Sequence, residues 1–361
     1  ILEMLFYTDF EPDIINCNDW QTALTPVYLN LYYRHLDKFS RIKTVFTIHN
    51  IAYQGKYGLD ILEDTCGIGA RDAHVVEYDG CANFMKGAIE CADKVTTVSP
   101  TYAQEILDPW FSHGLDGLLR QKQYKLCGIL NGIDVDVFNP ATDPDIAKNY
   151  DAETFQDGKA ACKAYLQDEF GLHKDGSPVM AMVTRLVGHK GVDLVQAIAE
   201  GLLQQGIELV VLGSGEAQYE NFFNELCARN PGRVGVYIGF NAKLAQEIYA
   251  GADMFLMPSR SEPCGLAQMV SCRYGTIPII RETGGLKDTV QPYEAWRDAG
   301  TGFTFANYNA GDMCHVICEA IDLYHDNKGA YAMLQQRGMT ADFSWTRSAQ
   351  EYRHIYESIC R

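Results

Sequence analysis

The amino-acid sequence predicts an α/β protein made of two units, each with a parallel β-sheet that is covered by helices on both faces. Short β-branched or apolar runs alternate with helical stretches along nearly the whole chain, a pattern typical of parallel sheets. The 361 residues are enough for two domains, at roughly 150 residues per domain. A segment rich in turn formers, residues 131–146, separates the two series of strands.

Each element is predicted from hydrophobic pattern and length. The predicted strands cover residues 13–16, 44–48, 94–98, 127–130, 179–183, 208–212, 234–238, 254–257 and 277–280. The predicted helices cover residues 20–33, 84–92, 151–171, 191–203, 216–228, 241–251 and 343–359. From this order, we expect a first domain over residues 1–143, a second over residues 144–340 and a final helical segment over residues 341–361.

Composition and charge exclude several classes of protein. Hydrophobic residues make up 47% of the chain and charged residues 21%, which excludes a largely disordered protein. The formal charge of −17 argues against a nucleic-acid or anionic-membrane partner, because both need a basic surface. No apolar run approaches the roughly 20 residues of a membrane-spanning helix.

The twelve cysteines do not indicate a disulfide or metal framework. They are scattered from Cys17 to Cys360 and include no C-x-x-C pair. Cys314 and Cys318 are spaced as neighbours on a helix, but no second ligand pair stands nearby. We therefore expect reduced thiols, a cytosolic location and no metal site.

Polar residues directly after the strands are candidates for a binding site, because ligands of open parallel sheets bind at the carboxyl ends of the strands. In the first unit, Asp19 follows the first strand, and His49 with Asn50 follows the second. Asp19 is also suited to capping the next helix, so a structural role stays open.

The second unit has more such residues. Arg185 and Lys190 follow one strand and could clamp a diphosphate or be ordinary surface cations. Gly213 begins a glycine-containing turn that lacks the third glycine of a dinucleotide motif. Glu262 lies in a loop between a strand and a helix, and residues 283–285 could offer backbone amides to phosphate oxygens. An acid, two cations and an amide-rich turn in one unit favour a phosphate-containing ligand.

Seven ordered motifs make the chain similar to the bacterial glycogen synthase and starch synthase family, which are retaining glycosyltransferases of the GT-B fold. They are NDWQTAL at 18–24, TIHNIAYQGKYG at 47–58, TTVSPTYAQEI at 96–106, LNGID at 130–134, TRLVGHKG at 184–191, SRSEPCGLAQM at 259–269 and TGGLKDTV at 283–290. The resemblance implies two Rossmann-like domains with the active site in the cleft between them, and a final helix that crosses back to the first domain. It also implies transfer of glucose from ADP-glucose to the non-reducing 4-hydroxyl of an α-1,4-glucan, with no cofactor.

The same resemblance assigns roles by matched position. It implies catalytic roles for Arg185 and Lys190 at the donor diphosphate, for Glu262 at the glucose hydroxyls, and for His49 and Asp19. The residues implied to bind substrate are Asn50, Asn131, Phe240 (stacking on adenine), Cys264, Gly265, Leu266, Thr283, Gly284 and Gly285.

Two departures from the family pattern stand out. The Lys-x-Gly-Gly-Leu loop of the family's amino-terminal region is absent, and the first shared motif begins at residue 18, so we expect the chain to be a fragment. Asn18 stands where many relatives have His, which puts a proton-transfer role at that position in doubt.

Other functions stay open at this point. The chain could use another nucleotide sugar or acceptor, or it could be a non-catalytic glucan-binding relative. A glucan phosphorylase shares the fold but needs a lysine bound to pyridoxal phosphate, and the context of Lys190 fits a phosphate clamp better.

Overall fold

A computed structural model describes residues 1–360. The chain separates into two compact units, one formed by Ile1–Asn131 with Thr346–Arg361 and the other by Gly132–Trp345. From the sequence, we predicted the domain boundaries at residues 143/144 and 340/341.

The first unit contains one parallel sheet and one small antiparallel sheet. The parallel strands run in the order β1-β2-β6-β7, and the short strands in the order β3-β5-β4. The strands are β1 (Ile14–Asn18), β2 (Lys43–Ile48), β3 (Lys56–Tyr57), β4 (Glu77–Tyr78), β5 (Cys81–Asn83), β6 (Lys94–Thr97) and β7 (Leu126–Gly128). The four parallel strands match predicted runs, whereas the small sheet was not predicted.

The helices of the first unit are short. They are α1 (Asp19–Thr22), α2 (Leu24–Tyr28), α3 (Asp37–Ser40), α4 (Ile61–Asp64), α5 (Phe84–Cys91), α6 (Pro100–Glu105) and α7 (Asp116–Gln121). The single helix predicted over residues 20–33 is instead α1, α2 and a π-helical turn at Leu29–Tyr33. Pro26 explains the break, because a proline has no N–H to donate and is tolerated only in the first turn of a helix.

The second unit is built on a six-stranded parallel sheet with the order β10-β9-β8-β11-β12-β13. Its strands are β8 (Val179–Val183), β9 (Glu208–Gly213), β10 (Val234–Ile238), β11 (Met254–Met257), β12 (Ile277–Arg281) and β13 (Phe303–Phe305). Its helices are α8 (Phe155–Phe170), α9 (Val192–Gln204), α10 (Ala217–Arg229), α11 (Ala242–Gly251), α12 (Ala267–Arg273), α13 (Gly284–Thr289), α14 (Ala310–Asp326) and α15 (Lys328–Thr340), followed by α16 (Trp345–Ile359).

The strand order of the second unit indicates which edge of its sheet binds ligands. All residues of β9 and β12 are buried, as expected for strands covered on both faces. The chain builds outward from β8 to β9 and β10, and then returns to β11 on the other side of β8. The order therefore reverses between β8 and β11, and ligands of such sheets bind at the carboxyl ends of the strands at that reversal.

The last helix, α16, contributes most of its length to the first unit. Within that unit, the Ser348 hydroxyl donates a hydrogen bond to the carbonyl oxygen of Leu130, at 2.5 Å.

Candidate active site

A lysine–glutamate ion pair lies at the reversal point of the second sheet. Lys190 is in the loop after β8 and Glu262 is in the loop after β11, so the fold joins residues that are 72 positions apart. The Lys190 Nζ lies 2.5 Å from Glu262 Oε2, and the two side chains are only 16% and 10% exposed. Low exposure strengthens the attraction between these charges, because little water screens it.

The two carboxylate oxygens of Glu262 have different surroundings. Oε2 accepts hydrogen bonds from Lys190 and from the Ser259 hydroxyl, the latter at 3.1 Å. Oε1 accepts no hydrogen bond from any residue between 1 and 360. One oxygen is therefore held by the protein, while the other keeps its capacity to accept a hydrogen bond from a ligand.

Arg185 and His189 lie beside this pair. The Arg185 Nη2 is 3.5 Å from the His189 Nε2. Burial, followed by the nearby Lys190 and Arg185 cations, lowers the pKa of His189. The imidazole is therefore neutral at neutral pH, and it adds no third positive charge to the loop.

A cavity of about 250 Å³ adjoins Arg185. It is formed by residues at and beyond the carboxyl ends of β8, β9 and β10: Val183, Thr184, Arg185, Leu212, Gly213, Ser214, Gly239, Phe240, Asn241 and Ala245. The Phe240 side chain is 91% exposed, so its ring is available for stacking on a planar group. The cavity thus combines apolar walls with a cation at its edge.

The turn at residues 283–285 differs from the sequence-based expectation of free amide donors. The N–H of Thr283 donates to the carbonyl of Arg281, and that of Gly285 donates to the carbonyls of Glu262 and Pro263. A Cβ atom at Gly284 would lie 2.0 Å from the Glu262 carbonyl oxygen. The glycines therefore let this turn pack tightly against the Glu262 loop, which uses two of the amides that we expected to bind phosphate.

The residues after Glu262 are fixed by a side chain that the sequence analysis did not select. Buried Gln268 donates its Nε2 hydrogens to the carbonyls of Cys264 and Gly265, at 3.2 and 3.0 Å. Cys264 is buried, Gly265 has φ of +69°, and Leu266 is half exposed. These contacts give the loop one defined path.

In the first unit, the structure brings Asp19, His49 and Asn50 together at the ends of β1 and β2. Asp19 has φ of +55°, and its Oδ1 accepts hydrogen bonds from the backbone N–H of His49 at 2.8 Å and of Asn50 at 3.4 Å. The Asn18 Oδ1 lies 2.9 Å from the His49 Nε2. Asp19 therefore does not cap α1 but ties two neighbouring loops together. Asn131 follows β7 and is the last residue of the unit's main segment.

Across residues 1–360, no group of three or more His, Cys, Asp and Glu side chains is placed to hold a metal ion. No helix in the same range has both the length and the apolar character needed to cross a membrane.

Two units with parallel sheets, with two cations and a carboxylate after the strands at the sheet reversal of the second, are typical of a glycosyltransferase of the GT-B class. Family models agree: residues 1–121 match the starch synthase catalytic domain, and residues 166–337 match glycosyl transferases group 1. The chain belongs to the glycogen synthase family, and its activity is glucosyl transfer in the synthesis of glycogen or starch.

This assignment rests on similarity to individual proteins of the family. The chain is 46% identical over 364 residues to the glycogen synthase of Geobacillus thermodenitrificans, covering 100% of this chain and 75% of that protein. It is 47% identical over 363 residues to the glycogen synthase of Clostridium acetobutylicum, covering 99% and 76%. The catalytic domain of starch synthase IV from Arabidopsis thaliana, solved with ADP and acarbose, matches with a TM-score of 0.91 and 34% identity over 99% of this chain and 75% of that one.

A more distant structure shows the fold alone. Sucrose-phosphate synthase from Thermosynechococcus elongatus matches with a TM-score of 0.61 at 18% identity, over 99% of this chain and 76% of that one. The family and the fold class predicted from the seven motifs are therefore confirmed.

Proposed function

We propose that this protein transfers glucose from ADP-glucose to the non-reducing 4-hydroxyl of an α-1,4-glucan, with retention of configuration. The observation that carries the proposal is the buried Lys190–Glu262 pair, which has Arg185 and an open cavity beside it. ADP as the leaving group is supported by the starch synthase IV structure, which contains ADP.

The nucleoside is proposed to bind in the cavity next to Phe240. Its walls are mostly apolar, as nucleobase sites are, and the exposed Phe240 ring offers a face for adenine. Arg185 lies at the cavity edge, where a ribose-linked diphosphate would leave the pocket.

The diphosphate is proposed to bind between Arg185 and Lys190. As the bond between the anomeric carbon and the phosphate oxygen breaks, negative charge grows on the diphosphate. Fixed cations that stabilise this charge lower the barrier, because they act more strongly on the transition state than on the bound donor. Among residues 1–360, Lys190 has a single anionic partner, Glu262, so it has hydrogens left for phosphate oxygens.

Glu262 is proposed to hold the transferred glucose. Its Oε1 can accept hydrogen bonds from sugar hydroxyls while Oε2 stays fixed by Lys190 and Ser259. The backbone of Cys264, Gly265 and Leu266 is proposed to add contacts to the same sugar, since Gln268 holds that segment in place.

The proton and bond changes balance without a protein nucleophile. The glycosidic oxygen of the diphosphate leaves with the bonding electrons, and the glucan 4-hydroxyl attacks the anomeric carbon from the same face. The departing phosphate oxygen takes the hydroxyl proton, so the products are ADP and a glucan longer by one glucose. We propose that no cofactor takes part.

Residues of the first unit are proposed to contact the sugars. His49, Asn50 and Asn131 offer polar side chains after β2 and β7, and Asp19 fixes the backbone of the first two. All twelve cysteines are free thiols, which supports the proposal that the protein works in the reducing cytosol.

The test is ADP release from ADP-glucose in the presence of glycogen, together with the length of the glucan product. The protein is produced at the full length that its gene encodes, and UDP-glucose serves as the competing donor. We expect ADP release that depends on glycogen and that exceeds UDP release. Glycogen binding without release of either nucleotide would favour a non-catalytic binding protein, and faster UDP release would reassign the donor.

A further inference from the structure

Arg281 is buried at the end of β12, next to the Glu262 loop but outside the residues proposed to touch substrate. We propose that Arg281 is a positioning residue for the glucosyl transfer: its guanidinium fixes the loop that presents Glu262. This inference rests on the proposed role of Glu262.

The Arg281 guanidinium joins the loops that follow β11 and β13, the two strands on either side of β12. The Arg281 Nε donates to the carbonyl of Ser259 at 2.8 Å, and Nη2 donates to the carbonyl of Arg260 at 2.5 Å. Nη1 donates to the carbonyl of Ala306, after β13, at 3.2 Å. Because β12 lies between β11 and β13, the side chain sets the position of both adjacent loops relative to the sheet.

The residues that Arg281 holds are linked by hydrogen bonds to the Lys190–Glu262 ion pair and its neighbour His189. Ser259, whose carbonyl Arg281 holds, donates its hydroxyl to Glu262 Oε2. Arg260, whose carbonyl Arg281 also holds, donates its backbone N–H to the carbonyl of His189 at 2.8 Å. Since His189 precedes Lys190, the same guanidinium constrains both members of the Lys190–Glu262 pair.

Only arginine meets this geometry. Its planar guanidinium has five N–H donors in a fixed fork, so it can reach three carbonyls in different directions at once. A lysine at the same position would keep the positive charge but would carry it on a single ammonium group. Arg281→Lys therefore removes the positioning while it retains the charge.

The test compares the steady-state kinetics of Arg281→Lys with those of Arg273→Lys. Arg273 is a matched control, because it also donates to backbone carbonyls, those of Phe138 and Met339, and is away from the ion pair. We expect Arg281→Lys to lower kcat by about 10- to 100-fold, the effect of a misplacement of about 1 Å, with KM for ADP-glucose and Kd for ADP within about twofold. Arg273→Lys should leave all three within about twofold.

A double-mutant cycle separates positioning from general damage to the fold. In a Glu262→Gln background, Arg281→Lys should lower kcat by a smaller factor than it does alone, because the carboxylate is already gone and only the constraint on Lys190 is left to lose. An equal loss of kcat in both backgrounds, or an effect of Arg281→Lys no larger than that of Arg273→Lys, would overturn the proposal. If Arg281→Lys does not fold, Arg281→Gln, which keeps a planar donor group, is judged by the same outcomes. Absence of ADP release by the unsubstituted protein would instead count against the proposed function.

Discussion

Two buried lysine–carboxylate pairs flank the same strand, β11, in the second unit. Lys163 and Asp253 lie at the amino end of the strand with a distance of 2.6 Å, and Lys190 and Glu262 lie at its carboxyl end with a distance of 2.5 Å. All four side chains are between 10% and 16% exposed. In length and burial the two pairs are nearly equivalent, yet only the second lies at the ligand-binding edge of the sheet.

The two pairs differ in how many lysine hydrogens remain available to bind a ligand. Lys163 donates to Asp253, to the carbonyl of Ser177 and to the hydroxyl of Tyr324, so its three hydrogens are all used. Lys190 donates to Glu262 alone among residues 1–360. A saturated pair stabilises the fold, whereas an unsaturated pair can still bind a ligand. Cavity size would mislead here, since the cavity beside Lys163 is about 340 Å³, larger than the one beside Arg185.

The largest expected effect is on catalysis, and it follows from breaking the Lys190–Glu262 pair. Lys190→Ala should lower kcat/KM for ADP-glucose by about 10³-fold, because it removes a cation that stabilises charge developing in the transition state. The measurement is ADP release with glycogen. Lys174→Ala is the matched control, because it removes a lysine from an exposed pair with Asp168; it should leave the rate unchanged. A rate of Lys190→Ala within about threefold of the control would contradict the assignment.

The pair at the amino end of β11 should show the opposite result. Lys163→Ala leaves the Asp253 carboxylate buried without its cation, so we expect it to lower the free energy of unfolding by about 3–5 kcal/mol. Lys174→Ala, from a surface pair of the same 2.6 Å distance, should cost less than about 1 kcal/mol. Denaturant titration measures both. A stability loss for Lys190→Ala as large as that for Lys163→Ala would erase the distinction between the pairs.

The sequence predicted most of the long strands because they are buried on both faces and read as apolar runs, as β9 does. It did not predict β13 or the small sheet of β3, β4 and β5. These strands have only two or three residues, and their pairing depends on partners that are distant in the chain. The hydrophobic pattern of the sequence therefore predicts the long parallel strands better than the short strands.

For the site, the sequence selected Arg185, Lys190 and Glu262 from their positions after strands. It could not predict the contact between Lys190 and Glu262, because their separation of 72 residues is closed only by the strand order. It did not predict that two amides of the turn at 283–285 donate to backbone carbonyls, since a Gly-Gly pair looks the same whether it exposes amides or packs against a loop. Arg281 was overlooked because its function depends on where three carbonyls lie.

A smaller effect is expected on nucleotide affinity. Glu262→Gln removes the anion that is paired with Lys190, so the diphosphate of ADP no longer competes with a carboxylate for that cation. We expect ADP to bind more tightly, on the order of tenfold or about 1.4 kcal/mol, while kcat falls. Isothermal titration calorimetry measures the Kd, and Glu200→Gln, from an exposed pair with Arg229, is the control. Weaker ADP binding by Glu262→Gln would show that the pair does not compete with the ligand.

The smallest expected effect concerns pH. The pKa of His189 is lower in the folded protein than in the unfolded chain, so between these two values the unfolded state binds more protons. Folding stability at this residue is therefore fully present above about pH 6.5, the usual imidazole pKa, and falls as the pH decreases toward the lowered value. His189→Gln should lessen the loss of stability between pH 7 and pH 5, as measured by thermal unfolding at each pH. His315→Gln is the matched control, because that imidazole is exposed on α14, where it pairs with Glu319. An equal acid sensitivity in the His189→Gln variant and the unsubstituted protein would mean that burial and the nearby Lys190 and Arg185 cations do not lower the pKa of this ring.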